Sequence, residues 1–168
     1  MYQAWTYGNW VLRESRAMDV PVIAALEWAC QSHPWQLERV EAFLTVPHEG
    51  HEQFALLAWV EERPVGYAIL AAAAGILSFE RIGVMSDQRR RRMGATLVAH
   101  ALLMARARKL KFMSTVIRES NSDAQNFFYE CGFRAGRVAA PLVRWFGTED
   151  AIAMRRPVEL PMPKDAAC

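Results

Sequence analysis

One segment, residues 82–97 (IGVMSDQRRRRMGATL), constrains the fold of this chain more than any other. An apolar, strand-like run ends at Val84, a polar loop with four consecutive arginines follows, and an apolar helical pattern opens at Gly94. A strand, a loop and a helix start in this order bring free backbone N–H groups and the positive end of the helix dipole to one point. Phosphate is the usual anion at such a point, so the segment predicts a phosphate site. A solvated basic turn is the alternative interpretation.

The length and composition indicate one globular domain. The chain has 168 residues, of which 52% are hydrophobic and 23% charged, a composition typical of folded rather than disordered proteins. We expect a single domain over residues 1–168, with a loosely ordered tail from about residue 156, where three prolines occur without periodicity. The net charge is only +2, and the arginines are not interleaved with aromatic residues. Nucleic acid is therefore not expected as a partner.

Neither a membrane segment nor a metal site is expected. The apolar runs are interrupted before they reach the length of a membrane span, and the first ten residues lack the pattern of a secretory signal. Cys30, Cys131 and Cys168 are far apart and form no C-x-x-C pair, so neither a zinc site nor a disulfide framework is predicted. His48 and His51 share one loop without further ligands. A cytoplasmic location fits this pattern best.

Hydrophobic periodicity predicts a mixed α/β chain. Apolar and alternating runs predict seven strands, at residues 10–16, 54–60, 65–72, 77–84, 112–117, 133–138 and 151–154. Helical spacing predicts four helices, which start near Asp19, Gln36, Gly94 and Ser122. Ser122 and Gln125 have the spacing of a capping box, and Gly132 is placed to end the last helix. The resulting order is β-α-α-β-β-β-α-β-α-β-β.

This order and the arginine loop together resemble the Gcn5-related N-acetyltransferase (GNAT) superfamily. In that family the acetyl-CoA loop reads Gln/Arg-x-x-Gly-x-Gly/Ala after a strand that ends in valine; here it reads RRRRMG, with Arg92 in place of the middle glycine. The chain is most similar to bacterial ribosomal-protein-alanine N-acetyltransferases, through residues 33–35 (HPW), 120–121 (SN), 132–133 (GF) and 149–154 (EDAIAM). The resemblance covers almost the whole chain. It implies a mostly antiparallel central sheet of six to seven strands flanked by four helices.

The resemblance implies acetyl-CoA as the cosubstrate, with no metal. Backbone groups of Ile82, Gly83 and Val84 would bind the pantetheine arm and the carbonyl, since an open strand edge offers N–H groups to an amide-rich ligand. The loop that would hold the pyrophosphate consists of Arg89, Arg90, Arg91, Arg92, Met93, Gly94 and Ala95. If Arg92 needs a positive φ, it costs about 1–2 kcal/mol relative to glycine. Asn121 matches a family asparagine that contacts CoA; it is equally placed to cap the following helix.

The acid and base of the reaction are less clearly marked. Members of the subgroup often carry a glutamate and a tyrosine at positions that correspond to Val116 and Phe128, neither of which moves a proton. We assign Phe128 to the acetyl-CoA site; Tyr129 is turned by about 100° from it on a helix. Glu80 is the candidate catalytic base, because many superfamily members carry a glutamate there that acts through water. A two-residue period would put Glu80 on the strand face of Ile82 and Val84; a solvent-facing glutamate is the alternative.

The amine acceptor is inferred from the same lack of acid and base. An α-amino group with a pKa near 8 is about 10% neutral at pH 7, whereas a lysine is neutral only about four times in ten thousand. A protein N-terminus is therefore favoured, and Trp35, Glu38 and Glu41 lie in the segment that forms the acceptor side in relatives. We expect an acetyl-CoA-dependent N-acetyltransferase, either monomer or homodimer. A small-molecule amine acetyltransferase and a non-catalytic acyl-CoA-binding module are the alternatives.

Overall fold

A computed structural model describes residues 4–136 and 150–163, which form eight strands and four helices. The strands are β1 (Ala4–Tyr7), β2 (Trp10–Glu14), β3 (His51–Val60), β4 (Arg63–Ala73), β5 (Ile76–Val84), β6 (Phe112–Arg118), β7 (Arg134–Ala135) and β8 (Ala151–Pro157). The helices are α1 (Val20–Cys30), α2 (Leu37–Thr45), α3 (Met93–Ala107) and α4 (Ser122–Glu130). The expected mixed α/β fold is confirmed.

All eight strands join one sheet in the order β1-β2-β3-β4-β5-β6-β8-β7. Every neighbouring pair is antiparallel except β5 and β6, which are parallel. The strand count exceeds the expected six to seven because β1 adds an edge strand. Its four residues pair with β2 across Gly8 and Asn9, a two-residue turn in which Gly8 has a φ of +60°.

The sheet is covered on both faces, which explains its long apolar runs. On β3, Phe54 and Leu56 pack with α3 and α4, whereas Ala55 and Leu57 pack with α1 and α2. All four side chains are 0–6% exposed. A strand buried on both faces has no polar residue in alternate positions, so its burial cannot be inferred from alternation alone.

Helix α4 begins and ends at well-defined caps. Its N-cap is Asn121, whose Oδ1 accepts a hydrogen bond from the Ala124 N–H at 3.1 Å. The predicted capping box from Ser122 is therefore wrong by one residue, and the Gln125 amide instead donates to the Glu119 carbonyl at 2.8 Å. At the C-terminus Gly132 has a φ of +88° and its N–H bonds the Tyr129 carbonyl at 2.9 Å, as predicted for the residue that ends this helix.

Two arginines, the buried Arg156 and the exposed Arg106, anchor the C-terminal segment. Arg156, 1% exposed, donates to the Cys131 carbonyl at 2.9 Å and to the Leu160 carbonyl at 2.7 Å. Arg106 donates to the Val158 carbonyl at 3.1 Å. These bonds involve Val158 and Leu160, which lie in the tail that the sequence predicts to be loosely ordered from about residue 156. Residues 137–138 of the predicted strand 133–138, residue 149 of the EDAIAM motif, and residues 164–168 with Cys168 lie outside the described residues.

No helix in the described part of the chain is long and apolar enough to cross a membrane.

Candidate active site

The sheet opens where β5 and β6 separate. Their parallel pairing runs only from Ile76 and Phe112 to Phe79 and Thr115. Beyond Phe79, β5 continues to Val84 along β4 alone. A gap therefore lies between the ends of the two strands, and the backbone groups of β5 that face it are not taken by β6.

A β-bulge at Glu80 sets which groups face this gap. Leu70 pairs with Phe79 and Ile69 pairs with Arg81, so Glu80 has no partner on β4. The extra residue reverses the alternation: Phe79 packs on the α3 and α4 side, and after the bulge so does Ile82. The prediction that Glu80 shares a face with Ile82 and Val84 is therefore wrong, because a two-residue period does not continue through a bulge.

The backbone of Ile82 and Val84 points into the gap. Met85 N–H bonds the Val65 carbonyl on β4 at 2.9 Å, whereas the carbonyls of Ile82 and Val84 accept from side chains. The donors are Gln31 Nε2 at 2.7 Å and Arg89 Nε at 3.0 Å. Since the N–H and C=O of one strand residue point the same way, the N–H groups of Ile82 and Val84 also face the gap.

Gly83 contributes through its missing side chain. A Cβ at this position would lie 2.5 Å from the Tyr67 ring and 2.8 Å from Cys30 Cβ. Only glycine therefore allows β5 to pass this close to α1, and the position of the two neighbouring N–H groups depends on that approach.

A cavity of about 840 Å³ extends from the gap to the arginine loop. Of the residues predicted to bind acetyl-CoA, all but Arg91 line it, namely Ile82, Gly83, Val84, Arg89, Arg90, Arg92, Met93, Gly94, Ala95, Asn121 and Phe128. Sequence reasoning missed a second wall, formed by Cys30, Gln31, Ser32 and His33 from the end of α1. His33 begins the HPW motif, but the other three residues carry no motif, and only the fold brings this wall near the loop.

The arginine loop ends at the N-terminus of α3. Arg92 has a φ of +64° and is the N-cap, so the positive φ considered at this position is present and its cost of about 1–2 kcal/mol applies. The first helical bond joins Thr96 N–H to the Arg92 carbonyl at 2.9 Å. The N–H groups of Met93, Gly94 and Ala95 precede this ladder, and all three residues line the cavity wall, where such groups can bind an anion.

Gly94 lies one residue inside α3, and its role is close packing. A Cβ there would lie 3.1 Å from the Phe127 ring, so glycine lets α3 approach α4 beside the cavity.

A second, smaller cavity of about 100 Å³ contains Glu80. It shares with the large cavity a set of wall residues, namely Gln31, Ser32, His33, Ile82, Arg118, Asn121, Ala124 and Phe128. The Glu80 side chain is exposed to solvent on one side. The protein atoms around it still desolvate its carboxyl group and raise the pKa, and this effect outweighs the lowering of the pKa by Arg39 and His51. The two cavities thus meet beside Ile82.

The side chains at the expected acid and base positions carry no titratable group toward the gap. Phe128 is 2% exposed and packs edge-on against Phe79 and Phe133. Tyr129 is 57% exposed and lies under Arg134, whose Cζ is 4.1 Å from the ring centre.

Cys30 lines the large cavity, but burial raises its pKa to about 11, so it stays a neutral thiol.

A buried ionic network supports the wall beside Ile82. Glu27 is 0% exposed and binds Arg81 with an Nη2–Oε2 distance of 2.8 Å. The same carboxylate accepts hydrogen bonds from the backbone N–H of Trp35 at 2.8 Å and from the Tyr67 hydroxyl. Trp35 is 9% exposed and packs on Phe43, so it is a core residue rather than an open aromatic surface. Glu38 and Glu41 lie exposed on α2.

Among residues 4–136 and 150–163, no three His, Cys, Asp or Glu side chains are grouped to hold a metal ion.

A sequence model of the acetyltransferase (GNAT) family matches residues 20–133. No curated protein matches the chain.

Solved acetyltransferase structures share this fold. The ribosomal-protein-S18-alanine N-acetyltransferase from Escherichia coli is 18% identical, with a TM-score of 0.75 over 92% of this chain and 97% of that one. Ard1 from Thermoplasma volcanium is 15% identical, with a TM-score of 0.75 over 89% and 97%. A protein described as a streptothricin acetyltransferase from Bacillus anthracis, in complex with acetyl coenzyme A, is 21% identical, with a TM-score of 0.57 over 67% and 64%.

Proposed function

This chain belongs to the GNAT family of N-acetyltransferases, and on that basis we propose that it transfers the acetyl group of acetyl-CoA to the α-amino group of a protein N-terminus. We further propose that residues 1–168 form one acetyltransferase domain. The observation that carries the proposed reaction is the meeting of the two cavities beside Ile82. One cavity is long and lined by arginines, and the other is small and contains a carboxylate.

The large cavity has the donors that acetyl-CoA requires. The N–H groups of Met93, Gly94 and Ala95, with Arg89, Arg90 and Arg92, would hold the pyrophosphate at the start of α3. The N–H groups of Ile82 and Val84 would donate to the amide-rich pantetheine arm and to the thioester carbonyl. A donor aimed at a carbonyl oxygen that gains negative charge lowers the barrier to attack. Asn121 would contribute less, because its Oδ1 already caps α4.

The small cavity suits proton removal from the amine. Its volume of about 100 Å³ leaves room for water. Glu80 would therefore accept the amine proton through water. Its raised pKa brings its basicity closer to that of a base working near neutral pH. No side chain is assigned as the acid, and a thiol with a pKa near 8.5 leaves without strong assistance.

The choice of an α-amine rests on its basicity. A base of this kind has less work to do on an α-amino group than on lysine, because far more of the α-amine is neutral at pH 7. Two proteins of the same fold are named as an S18-alanine N-acetyltransferase and as Ard1. Their likeness supports the fold, and the acceptor proposed here rests on the pKa argument.

An acetyl-transfer assay with matched acceptors tests this proposal. The panel contains peptides with a free N-terminus, the same peptides with a blocked N-terminus and an internal lysine, and spermidine. We expect release of CoA thiol only with free N-termini. Release with spermidine alone would instead support a small-molecule acetyltransferase. Calorimetry that shows acetyl-CoA binding, together with no release for any amine, would contradict the proposed function.

A further inference from the structure

The buried Glu27 carboxylate directs a chain of hydrogen bonds toward the active-site gap. Glu27 is fully buried and paired with Arg81, so its oxygens act as acceptors. The Tyr67 hydroxyl must therefore donate its proton to Glu27. Burial and the negative charge of Glu27 raise the pKa of Tyr67, so the proton stays on the hydroxyl. The oxygen of Tyr67 is left as an acceptor for a third residue.

That third residue is Gln31, the C-cap of α1. Its Nε2 donates to the Tyr67 oxygen at 2.8 Å and to the Ile82 carbonyl at 2.7 Å. Both partners are acceptors, so they use both hydrogens of the amide nitrogen. In the reverse orientation of the amide, Oε1 would lie against the Tyr67 oxygen and the Ile82 carbonyl oxygen, with no hydrogen between them. The network therefore fixes the orientation of the Gln31 amide, and Oε1 points away from Tyr67 and Ile82.

Gln31 lies at the junction of the two cavities and lines both. Its Nε2 holds the carbonyl of Ile82, the residue whose N–H faces the gap. Because Nε2 is turned inward to the network, Oε1 is the part of the amide that can meet a ligand at this junction. A carboxamide oxygen with two lone pairs accepts hydrogen bonds and donates none.

We propose that Gln31 recognises the acceptor amine by accepting a hydrogen bond from its amino group through Oε1. This inference rests on the proposed function. A neutral primary amine has two N–H donors and one lone pair. One N–H would bind Gln31, the other would point to the water at Glu80, and the lone pair would remain for the thioester carbonyl. A secondary amine has one N–H and satisfies only one of the two partners, so Gln31 selects primary over secondary amines.

Kinetics with a primary and an N-methylated acceptor test this role. The probes are an alanyl peptide and the same peptide with N-methylalanine at its first position. In Gln31→Met we expect the KM of the alanyl peptide to rise about tenfold, the cost of one hydrogen bond. The preference for the alanyl over the N-methyl peptide should fall by a similar factor. Steric rejection of the methyl group is the same in both enzymes, so the change in preference isolates Gln31.

The matched control is Gln36→Met. Gln36 is exposed at the N-cap of α2, and its side chain makes no cap hydrogen bond. We expect its KM values and its preference to equal those of the wild type. The acetyl-CoA dissociation constant should be unchanged in Gln31→Met as well. A weaker acetyl-CoA affinity in Gln31→Met would show a general loss of cavity structure and would overturn the assignment.

Tyr67→Phe provides a second, independent test, which also stands if Gln31→Met does not fold. This variant keeps the bond from Gln31 to the Ile82 carbonyl but removes one of the two acceptors that fix the amide. We expect a smaller loss of preference than in Gln31→Met, about threefold, because one of the two acceptors that orient the amide remains. Preference and KM unchanged in Tyr67→Phe and in folded Gln31→Met would overturn the role of Gln31 while leaving the proposed function intact. Wild-type enzyme that binds acetyl-CoA but acetylates no amine would overturn both.

Discussion

The guanidinium of Arg81 meets the carboxylate of Glu27 in a two-pronged ion pair, with Nε 2.9 Å from Oε1 and Nη2 2.8 Å from Oε2. Glu27 is 0% exposed and lies on α1, whereas Arg81 follows the bulge of β5. The pair therefore joins the strand that borders the gap to the helix that covers it. Arg81 also donates to the His33 carbonyl at 2.8 Å, which fixes the loop after α1.

Removal of Arg81 should strongly destabilise the fold. Arg81→Met leaves the buried carboxylate of Glu27 without its cation, and such a loss costs about 3–5 kcal/mol of unfolding free energy. The matched control is Arg63→Met, which breaks a pair with Asp87 whose side chains are 56% and 46% exposed. An exposed pair contributes less than about 1 kcal/mol. Urea unfolding of both variants measures the difference, and equal losses would show that the Glu27–Arg81 pair is not buried in solution.

The arginine loop was the part of the site that the sequence predicted best. A strand, a basic loop and a helix start are local in the chain, so residues 82–84 and 89–95 could be assigned to one site from the sequence, and all of them except Arg91 line one cavity. The long-range network was not predictable in this way. Glu27, Tyr67 and Arg81 are each 14 to 54 residues apart along the chain, and no spacing rule joins them.

The bulge at Glu80 escaped sequence reasoning for a different reason. One inserted residue leaves no mark in composition, and the apolar pattern continues on both sides of it. The same applies to β1, which is only four residues long and contributes little periodicity. The order of strands and helices along the chain thus followed from the sequence. Which side chains face the gap depended on how the strands pair, which the sequence does not show.

The arginines of the loop should differ in their effect on acetyl-CoA binding. Arg90 lines the large cavity and Arg91 does not. We expect Arg90→Ala to weaken acetyl-CoA binding about fivefold to tenfold, the cost of one charge-assisted contact near solvent, and Arg91→Ala to weaken it less. Calorimetry at low salt measures both, because salt screens exposed charges. Lys111→Ala, at an exposed site remote from the cavity, controls for net charge. Equal effects of Arg90→Ala and Arg91→Ala would indicate that the arginines attract acetyl-CoA through the overall positive charge of the loop and not through individual contacts.

His100 should make the fold sensitive to acid. Burial lowers the pKa of His100 to about 4, and the side chain lies 3.3 Å from the Tyr7 hydroxyl and against the ring of Trp5. The unfolded chain binds a proton at this residue below its ordinary pKa near 6.5, whereas the native state binds it only near 4. Stability from this residue is therefore full above pH 6.5 and is lost as the pH falls toward 4.

Urea unfolding at pH 7.5 and pH 5.0 tests this dependence. By linkage, His100 should account for about 2 kcal/mol of lost stability between the two conditions. His100→Gln cannot be protonated, so its loss between the same conditions should be smaller by that amount. A pH dependence identical in wild type and variant would show that His100 already titrates normally in the folded state.

Glu80 should set the pH dependence of turnover. Desolvation raises the pKa of its carboxyl group, so the basic form is lost at a higher pH than for an ordinary glutamate. The pH below which kcat/KM falls should therefore be higher than for an enzyme with an ordinary glutamate base. Glu80→Gln keeps the size and polarity of the side chain but cannot accept a proton. We expect turnover to fall about 10²-fold, with little change in acetyl-CoA affinity.

The loss in Glu80→Gln should shrink as the pH rises, because a growing share of the amine is already neutral and needs no base. Only the charged amine needs a base before attack, and the proton that the nitrogen loses after attack can pass to the leaving thiolate. This trend therefore separates proton removal from a simple disturbance of the cavity, which would lower turnover equally at each pH. Glu62→Gln is the matched control, since Glu62 is exposed in the turn between β3 and β4 and should behave as wild type. If Glu80→Gln retains full activity from about pH 6 to 9, across the titration range of an α-amine, another group takes the proton or the enzyme selects the neutral amine from solution.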